Sequence, residues 1–374
     1  MKICILGPAH PYRGGLAAIM ETMARVFANR GNEVSVRTFT LQYPSILFPG
    51  KSQTVDTPAP QDLHIERCVN TINPLNWIRI GRLLRRERPD FVLLKYWTPF
   101  MAPCFGTIAR LVRRNRHTKV LCQIDNVEPH EHHIVDRPFN RYCLRSVDGF
   151  IYMSEQVHRE LLEYTSAPAL FSPHPMFENF GKRVERAEAC RHLGFDPAKR
   201  YLLFFGLIRD YKGLDILLDA WSKITNDDLR LLIAGEFYTD PGKYMPAIET
   251  LGERVVLHNA FVADEDVKYW FSAADAVVLP YKTATQSGVT QVAYNFGVPP
   301  IVTDVGGLAE IVPDGKVGFV VNPDAESVAE AVENLYKGDT LERFRSNMQE
   351  ERKRFSWGEM CDRITELYNI CRNE

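Results

Sequence analysis

A strand-like run at residues 201–205 opens onto Gly206-Leu207-Ile208-Arg209-Asp210-Tyr211-Lys212-Gly213, so two cations lie three residues apart between a strand end and a helix start. Arg209 and Lys212 can face one crevice there, a clamp suited to a departing diphosphate, whose negative charge grows as its bond breaks. The plainer reading is two surface cations on a loop. A second anion-binding feature follows at Thr285-Gln286-Ser287-Gly288-Val289-Thr290, just before an apolar helical pattern. Backbone N–H groups at Ser287, Gly288 and Val289 would cradle phosphate without side-chain help; the alternative is an ordinary Ser/Gly helix cap. A third candidate is the loop at residues 7–16, which carries Gly14 and Gly15 where a first strand gives way to a helix. Glycine lets a phosphate approach the backbone, although the GxGxxG spacing of a dinucleotide fold is absent and a plain tight turn fits equally.

These loops must be positioned by regular elements, and the sequence alternates short apolar runs with amphipathic helical patterns. Strands are expected at residues 2–6, 33–38, 91–94, 119–124 and 149–153, with helices at 16–29, 77–86, 106–113 and from 154. Turn formers cluster between about 164 and 199, which reads as a crossing between domains. The alternation restarts at 201–205 and continues through 229–234, 255–258, 276–279, 300–303 and 318–321, with helices at 214–223 and 325–336. Such alternation predicts parallel βαβ units in an α/β protein, with ligands gathered at the carboxyl ends of the strands. A last helical pattern, with Met360, Ile364, Leu367 and Ile370 on one face, closes the chain.

At 374 residues, 45% apolar and 25% charged, the chain can bury two cores without disulfides or metals. Its eight cysteines form no CxxC pair and read as reduced core thiols. The apolar start is too short for a signal peptide, and no stretch approaches the roughly 18 residues of a membrane span, so a cytoplasmic location is expected. Net charge is only -2, yet residues 1–180 carry 22 Lys and Arg against 16 Asp and Glu, leaving 23 against 31 in the rest. Two arginine-rich helical segments, 77–88 and 108–116, hold much of the excess. They read either as solvated outer faces or as a weak electrostatic dock on anionic lipid headgroups. Nucleic acid is not expected as a partner.

The string FFGLIRDYKGLDILLDAW at 204–221 resembles the loop and helix opening the second domain of family-four retaining glycosyltransferases. The order of the surrounding motifs is similar too: GG at 14–15, SE at 154–155, AGE at 234–236, VLPY at 278–281, FGVPPIVTDVGGLAEIV at 296–312 and FSW at 355–357. The resemblance implies a GT-B fold, two Rossmann-like domains facing a central cleft. Residues 1–175, with helix 357–374 packed back on them, would form the acceptor-side domain, and residues 176–356 the nucleotide-sugar-binding domain. It further implies a metal-independent, retaining, hexosyl-type transfer from a UDP- or GDP-sugar to a saccharide or lipid-linked acceptor, in surface polysaccharide or glycolipid assembly, with no cofactor.

By the same resemblance, Arg209 and Lys212 are catalytic, and His130, in the run 125–133, lies beside the donor sugar. That run also carries His132, His133 and several carboxylates and invites a metal reading, but it has no HExxH. His174 belongs to the expected crossing, and Gly307 joins Gly14, Gly15, Gln286, Ser287, Gly288 and Val289 as donor contacts. One departure stands out. The family's two glutamates, with seven residues between them, would fall on Ala284 and Val292, neither of which carries a carboxylate. The loop resembles a sub-branch with Gln-Ser-Gly instead, in which Gln286 or Gln291 substitutes in part. A sugar-nucleotide 2-epimerase and a non-catalytic sugar-nucleotide-binding protein are the alternative readings.

Overall fold

The computed structural model describes residues 1–12, 14–44, 53–54, 58–128, 134–177, 180–284 and 287–373. The chain divides into two compact units, Met1–Pro173 with Trp357–Glu374, and His174–Ser356. The first unit runs β1 (Lys2–Leu6), α1 (Gly15–Asn29), β2 (Glu33–Leu41), β3 (Ile65–Asn70), α2 (Pro74–Glu87), β4 (Phe91–Tyr96), α3 (Ala102–Arg113), β5 (Lys119–Ile124), α4 (Asp136–Leu144), β6 (Gly149–Tyr152), α5 (Glu155–Leu162) and β7 (Ala169–Phe171). The second runs α6 (Arg186–Leu193), β8 (Arg200–Phe205), α7 (Leu214–Lys223), β9 (Leu229–Ala234), α8 (Met245–Leu251), β10 (Val255–His258), α9 (Val267–Ala273), β11 (Ala276–Leu279), α10 (Gly288–Phe296), β12 (Pro300–Thr303), α11 (Leu308–Ile311), β13 (Phe319–Val321), α12 (Ala325–Leu335) and α13 (Thr340–Glu351). The final helix, α14 (Trp357–Asn373), returns to the first unit.

Both sheets are parallel, in the orders β3-β2-β1-β4-β5-β6-β7 and β10-β9-β8-β11-β12-β13. Central strands of such sheets are covered on both faces and must be apolar throughout. Every residue of β4 and of β11 is buried, and the one charged side chain among them, Lys95, is paired with Asp125 at 2.6 Å. Strand order reverses between β1 and β4 in one sheet and between β8 and β11 in the other, the switch points at which loops diverge and leave a crevice.

Helix α14 fills a face of the first sheet next to α1. It buries Trp357, Met360, Cys361, Ile364, Leu367, Tyr368 and Cys371, and Arg30, at the C-terminal cap of α1, bonds Asp362 at 2.7 Å. A side chain at Gly149 would meet Cys371 Sγ at 2.7 Å, so β6 accepts only glycine there. All eight cysteines carry free thiols, and burial pushes those of Cys4 and Cys143 up to about 12.

The stretch expected as a crossing is more ordered than its turn formers imply. It holds β7, the edge strand of the first sheet, and α6, with the unit boundary between Pro173 and His174. Neither β7 nor β3 was expected from the sequence: both are short or irregular edge strands without a continuous apolar run, and β3 shows register shifts against β2. Among the described residues, no helix is long and apolar enough to cross a membrane.

Candidate active site

Strand β8 is followed by Gly206, in left-handed backbone with φ +91°. The loop beyond it is tied to the next strand's exit, Ile208 N donating to Glu236 O at 2.8 Å and Tyr238 N to Ile208 O at 2.8 Å. A single 3-10 turn, Asp210–Lys212, then leads into α7 through Gly213 at φ +67°. A Cβ on Gly213 would lie 1.9 Å from the Pro280 carbonyl oxygen, and Lys282 N donates to Tyr211 O at 2.7 Å. The loops after β8 and β11 are thus pressed together at the switch point.

That contact sets the environment of Lys212, which is 8% exposed. Its ammonium lies 5.8 Å from the centre of the Tyr281 ring. Burial, and secondarily the Arg209 guanidinium, lower its pKa to about 8. Nearby acids are engaged elsewhere: Asp210 with Lys243 and the Tyr244 hydroxyl, each at 2.9 Å, and Asp215 with Lys282 at 2.5 Å. Among the described residues no carboxylate pairs with Lys212 or with Arg209. The latter is exposed, its guanidinium 5.4 Å from the Tyr238 ring. A buried ammonium without a counter-ion is costly. The arrangement is that of a socket for an anion.

Helix α10 begins at the same place. A Cβ on Gly206 would lie 3.3 Å from Lys212 Nζ and 3.8 Å from Val289 Cγ2, so the ammonium and the first turn of α10 converge on one glycine. Ser287 caps the helix, its Oγ accepting from Val289 N at 3.3 Å and lying 3.3 Å from the Tyr281 hydroxyl. Gly288 is exposed and opens the helix, with Phe177 Cε2 3.2 Å from where its Cβ would be. The unpaired N–H groups and positive end of a helix add to the lysine's charge.

Of the residues singled out in the sequence, the structure therefore brings together Lys212, Ser287, Gly288 and Val289, with Arg209 on the same loop as Lys212. Gly307 is buried and precedes the short α11 beyond β12, with no direct link to that group. In the first unit, Gly14 (φ +99°) caps α1 and Gly15 begins it; a Cβ on either would meet nothing within 4 Å, which leaves this backbone open to approach. His130 and Gln286 lie outside the described residues, as do His132 and His133. Among the described residues, no three His, Cys, Asp or Glu side chains converge as metal ligands. Val292 is a core residue of α10, whereas its neighbour Gln291 is buried with Oε1 lacking a partner.

Two residues that shape the site were met in the sequence only inside motifs, with no role of their own. Tyr281, the last residue of VLPY, supplies the ring beneath Lys212 and the hydroxyl beside Ser287. Gly213 owes its role to Pro280, which no local pattern reveals.

Comparison with known proteins places these features. Residues 14–173 match the family model described as Glycosyl transferase 4-like domain, and residues 199–338 the model described as Glycosyl transferases group 1. The chain is 33% identical over 158 residues to a D-inositol 3-phosphate glycosyltransferase of Pseudarthrobacter chlorophenolicus, covering 40% of this chain and 38% of that protein. The first curated relatives are matched over only 38% to 57% of their own length. Spore coat protein SA of Bacillus subtilis is matched nearly end to end, 26% identical over 98% of this chain and 99% of that one. Among solved structures, Anabaena HepE in complex with UDP superposes with a TM-score of 0.71 at 16% identity, covering 98% of this chain and 99% of the other, a likeness of fold.

Proposed function

Because this chain belongs to the glycosyltransferases of GT-B fold, we propose that it moves a sugar from a nucleotide-diphosphate sugar to an acceptor hydroxyl with retention at the anomeric carbon. The observation that carries this reading is the buried, unpaired ammonium of Lys212 beside the N-terminus of α10, where Gly288 is exposed. A diphosphate is the leaving group that such a socket fits. As the bond from the anomeric carbon to the phosphate oxygen breaks, its electron pair goes to the diphosphate. Lys212, Arg209 and the α10 N–H groups take up the growing charge. The acceptor oxygen attacks from the face the leaving group vacates, and its proton passes to a diphosphate oxygen. No side-chain nucleophile and no metal are needed.

In this reading the second unit holds most of the donor and the first the acceptor. The UDP seen in HepE supports a UDP-sugar, with a GDP-sugar as the alternative donor. Gln291, with its unpartnered carbonyl, and Gln286 replace the carboxylates absent at Ala284 and Val292 in holding the donor ribose. Gly14, Gly15 and Gly307 offer backbone to the donor, and His130 a hydrogen bond to a sugar hydroxyl. One relative is named as a D-inositol 3-phosphate glycosyltransferase and another, from Rhizobium meliloti, as a lipopolysaccharide core biosynthesis mannosyltransferase, which supports a saccharide or lipid-linked acceptor in surface polysaccharide or glycolipid assembly.

The test is a panel of UDP-, GDP- and ADP-sugars offered to the full chain with glycolipid and oligosaccharide acceptors, reading product anomer by NMR. One donor should raise thermal stability and yield a product with the donor's anomeric configuration. An inverted product would refute the mechanism. The absent carboxylates favour a second reading, a non-catalytic binder, which would show donor binding without transfer to any acceptor.

A further inference from the structure

Nine arginines and a single glutamate fall in residues 77–88 and 108–116, and the fold brings the two segments onto one surface. Helices α2 and α3 pack side by side so closely that a Cβ on Gly81 would lie 2.8 Å from Leu111 Cβ. Their C-terminal ends are level, because Asn115 Nδ2 donates to Arg85 O at 3.1 Å. The lone Glu87 bonds Arg37 at 2.7 Å, and Arg113 bonds Asp148 at 2.9 Å, while Arg110 is held over the Tyr142 ring. Among the described residues, Arg79, Arg82, Arg85, Arg86 and Arg88 on one segment, and Arg114 and Arg116 on the other, are exposed and have no carboxylate partner.

A helix C-terminus favours cations, but that accounts only for the last turn. Arg79 and Arg82 lie in the body of α2, and Arg88 and Arg116 stand beyond the helix ends in left-handed backbone, φ +49° and +55°. Such positions ordinarily fall to glycine or asparagine. Two apolar side chains adjoin the charge: Leu75, 78% exposed, and Ile72, 52% exposed. The spacing of Leu75, Arg79, Arg82 and Arg86 places them along one stripe of α2, about 20 Å long for 14 residues.

We propose that the outer face of α2 and α3 docks on a bilayer surface rich in anionic headgroups. The guanidinium groups lie along the phosphates, and Leu75 and Ile72 enter the acyl boundary. An arginine row alone would suit a nucleic acid equally well. The exposed leucine and isoleucine at its end fit a lipid boundary, and among the described residues the one exposed aromatic ring beside this face, Tyr142, is already covered by the Arg110 guanidinium at 3.8 Å. The docking is independent of the transfer chemistry, since none of these residues belongs to the candidate active site.

The experiment is co-sedimentation of the full chain with phosphatidylcholine vesicles, with and without phosphatidylglycerol, at low and high salt. Binding should require phosphatidylglycerol and weaken with salt. The variant Arg79→Gln/Arg82→Gln/Arg86→Gln/Arg114→Gln should lose partitioning by on the order of a hundredfold or more, from roughly fivefold per charge. Leu75→Ser should lose several-fold and stay salt-sensitive, and Lys268→Gln/Arg343→Gln, on the second unit, should bind like the parent. Thermal melts matching the parent's would exclude misfolding in each variant. Equal binding to neutral vesicles, unchanged binding of the quadruple variant, or tighter capture of an RNA duplex than of the vesicles at the same salt would overturn the proposal.

Discussion

Gly213 sits against Pro280 with no space for a side chain: its missing Cβ would lie 1.9 Å from the proline carbonyl oxygen. The contact joins the loop after β8 to the loop after β11 and so holds Lys212 beside Tyr281. Gly213→Ala would combine left-handed strain of about 1–2 kcal/mol with a clash against backbone that cannot swing aside. We expect the denaturation midpoint to fall by the equivalent of at least about 2 kcal/mol and activity to vanish. An Ala variant as stable and active as the parent would show that the two loops are not coupled.

Lys212 gives the site its pH dependence. Its pKa is lowered from 10.5 to about 8, burial being the main cause. Between those values the unfolded chain holds a proton that the folded chain has released. Stability therefore rises with pH through that window, and below about 8 the full penalty of the buried charge is present. Lys212→Met should thus stabilise the free protein at pH 7, by on the order of 1–3 kcal/mol, while lowering turnover by roughly a hundredfold or more. Thermal melts and initial rates on the same preparation check both signs.

The same group should set the alkaline limb of the rate profile. Loss of kcat/KM, a property of the free enzyme, is expected as pH rises through about 8. In the donor complex the diphosphate favours the charged lysine, so the limb for kcat should move to higher pH. Lys212→Arg, if active, should lack the limb, since guanidinium stays protonated.

Gln291 is buried with an unpartnered carbonyl. Gln291→Leu removes an unsatisfied polar atom, so stability should hold or rise slightly. The donor KM should climb by about tenfold, the loss of one hydrogen bond to a buried site, with kcat little changed. A KM equal to the parent's would remove Gln291 from the donor site.

How far the sequence could lead is plain at particular residues. Arg209 and Lys212 were legible because two cations three apart, between an apolar strand and a glycine, stand out against their surroundings. The buried runs that became β4 and β11 identify themselves by having no polar face to offer water, save Lys95. Tyr281 was not legible as the neighbour of Lys212, for it lies far along the chain and only the parallel order of β8 and β11 brings the two together. The edge strands β3 and β7 escaped because half-covered strands lack the apolar continuity that marks central ones. Burial of Lys212 without a counter-ion is a property of the packed fold alone.

We propose Lys212 and the start of α10 as the socket for a nucleoside diphosphate. Isothermal titration of the full chain with UDP and with GDP near pH 8.5, in two buffers of different ionisation heat, tests it directly. One of the two should bind with net uptake of protons, because the anion recharges Lys212. In Lys212→Met the affinity should fall by about thirtyfold or more, the worth of a charge-assisted hydrogen bond to a buried site, and the proton uptake should disappear. Undiminished affinity in Lys212→Met, with the same proton uptake as the parent, would contradict the account.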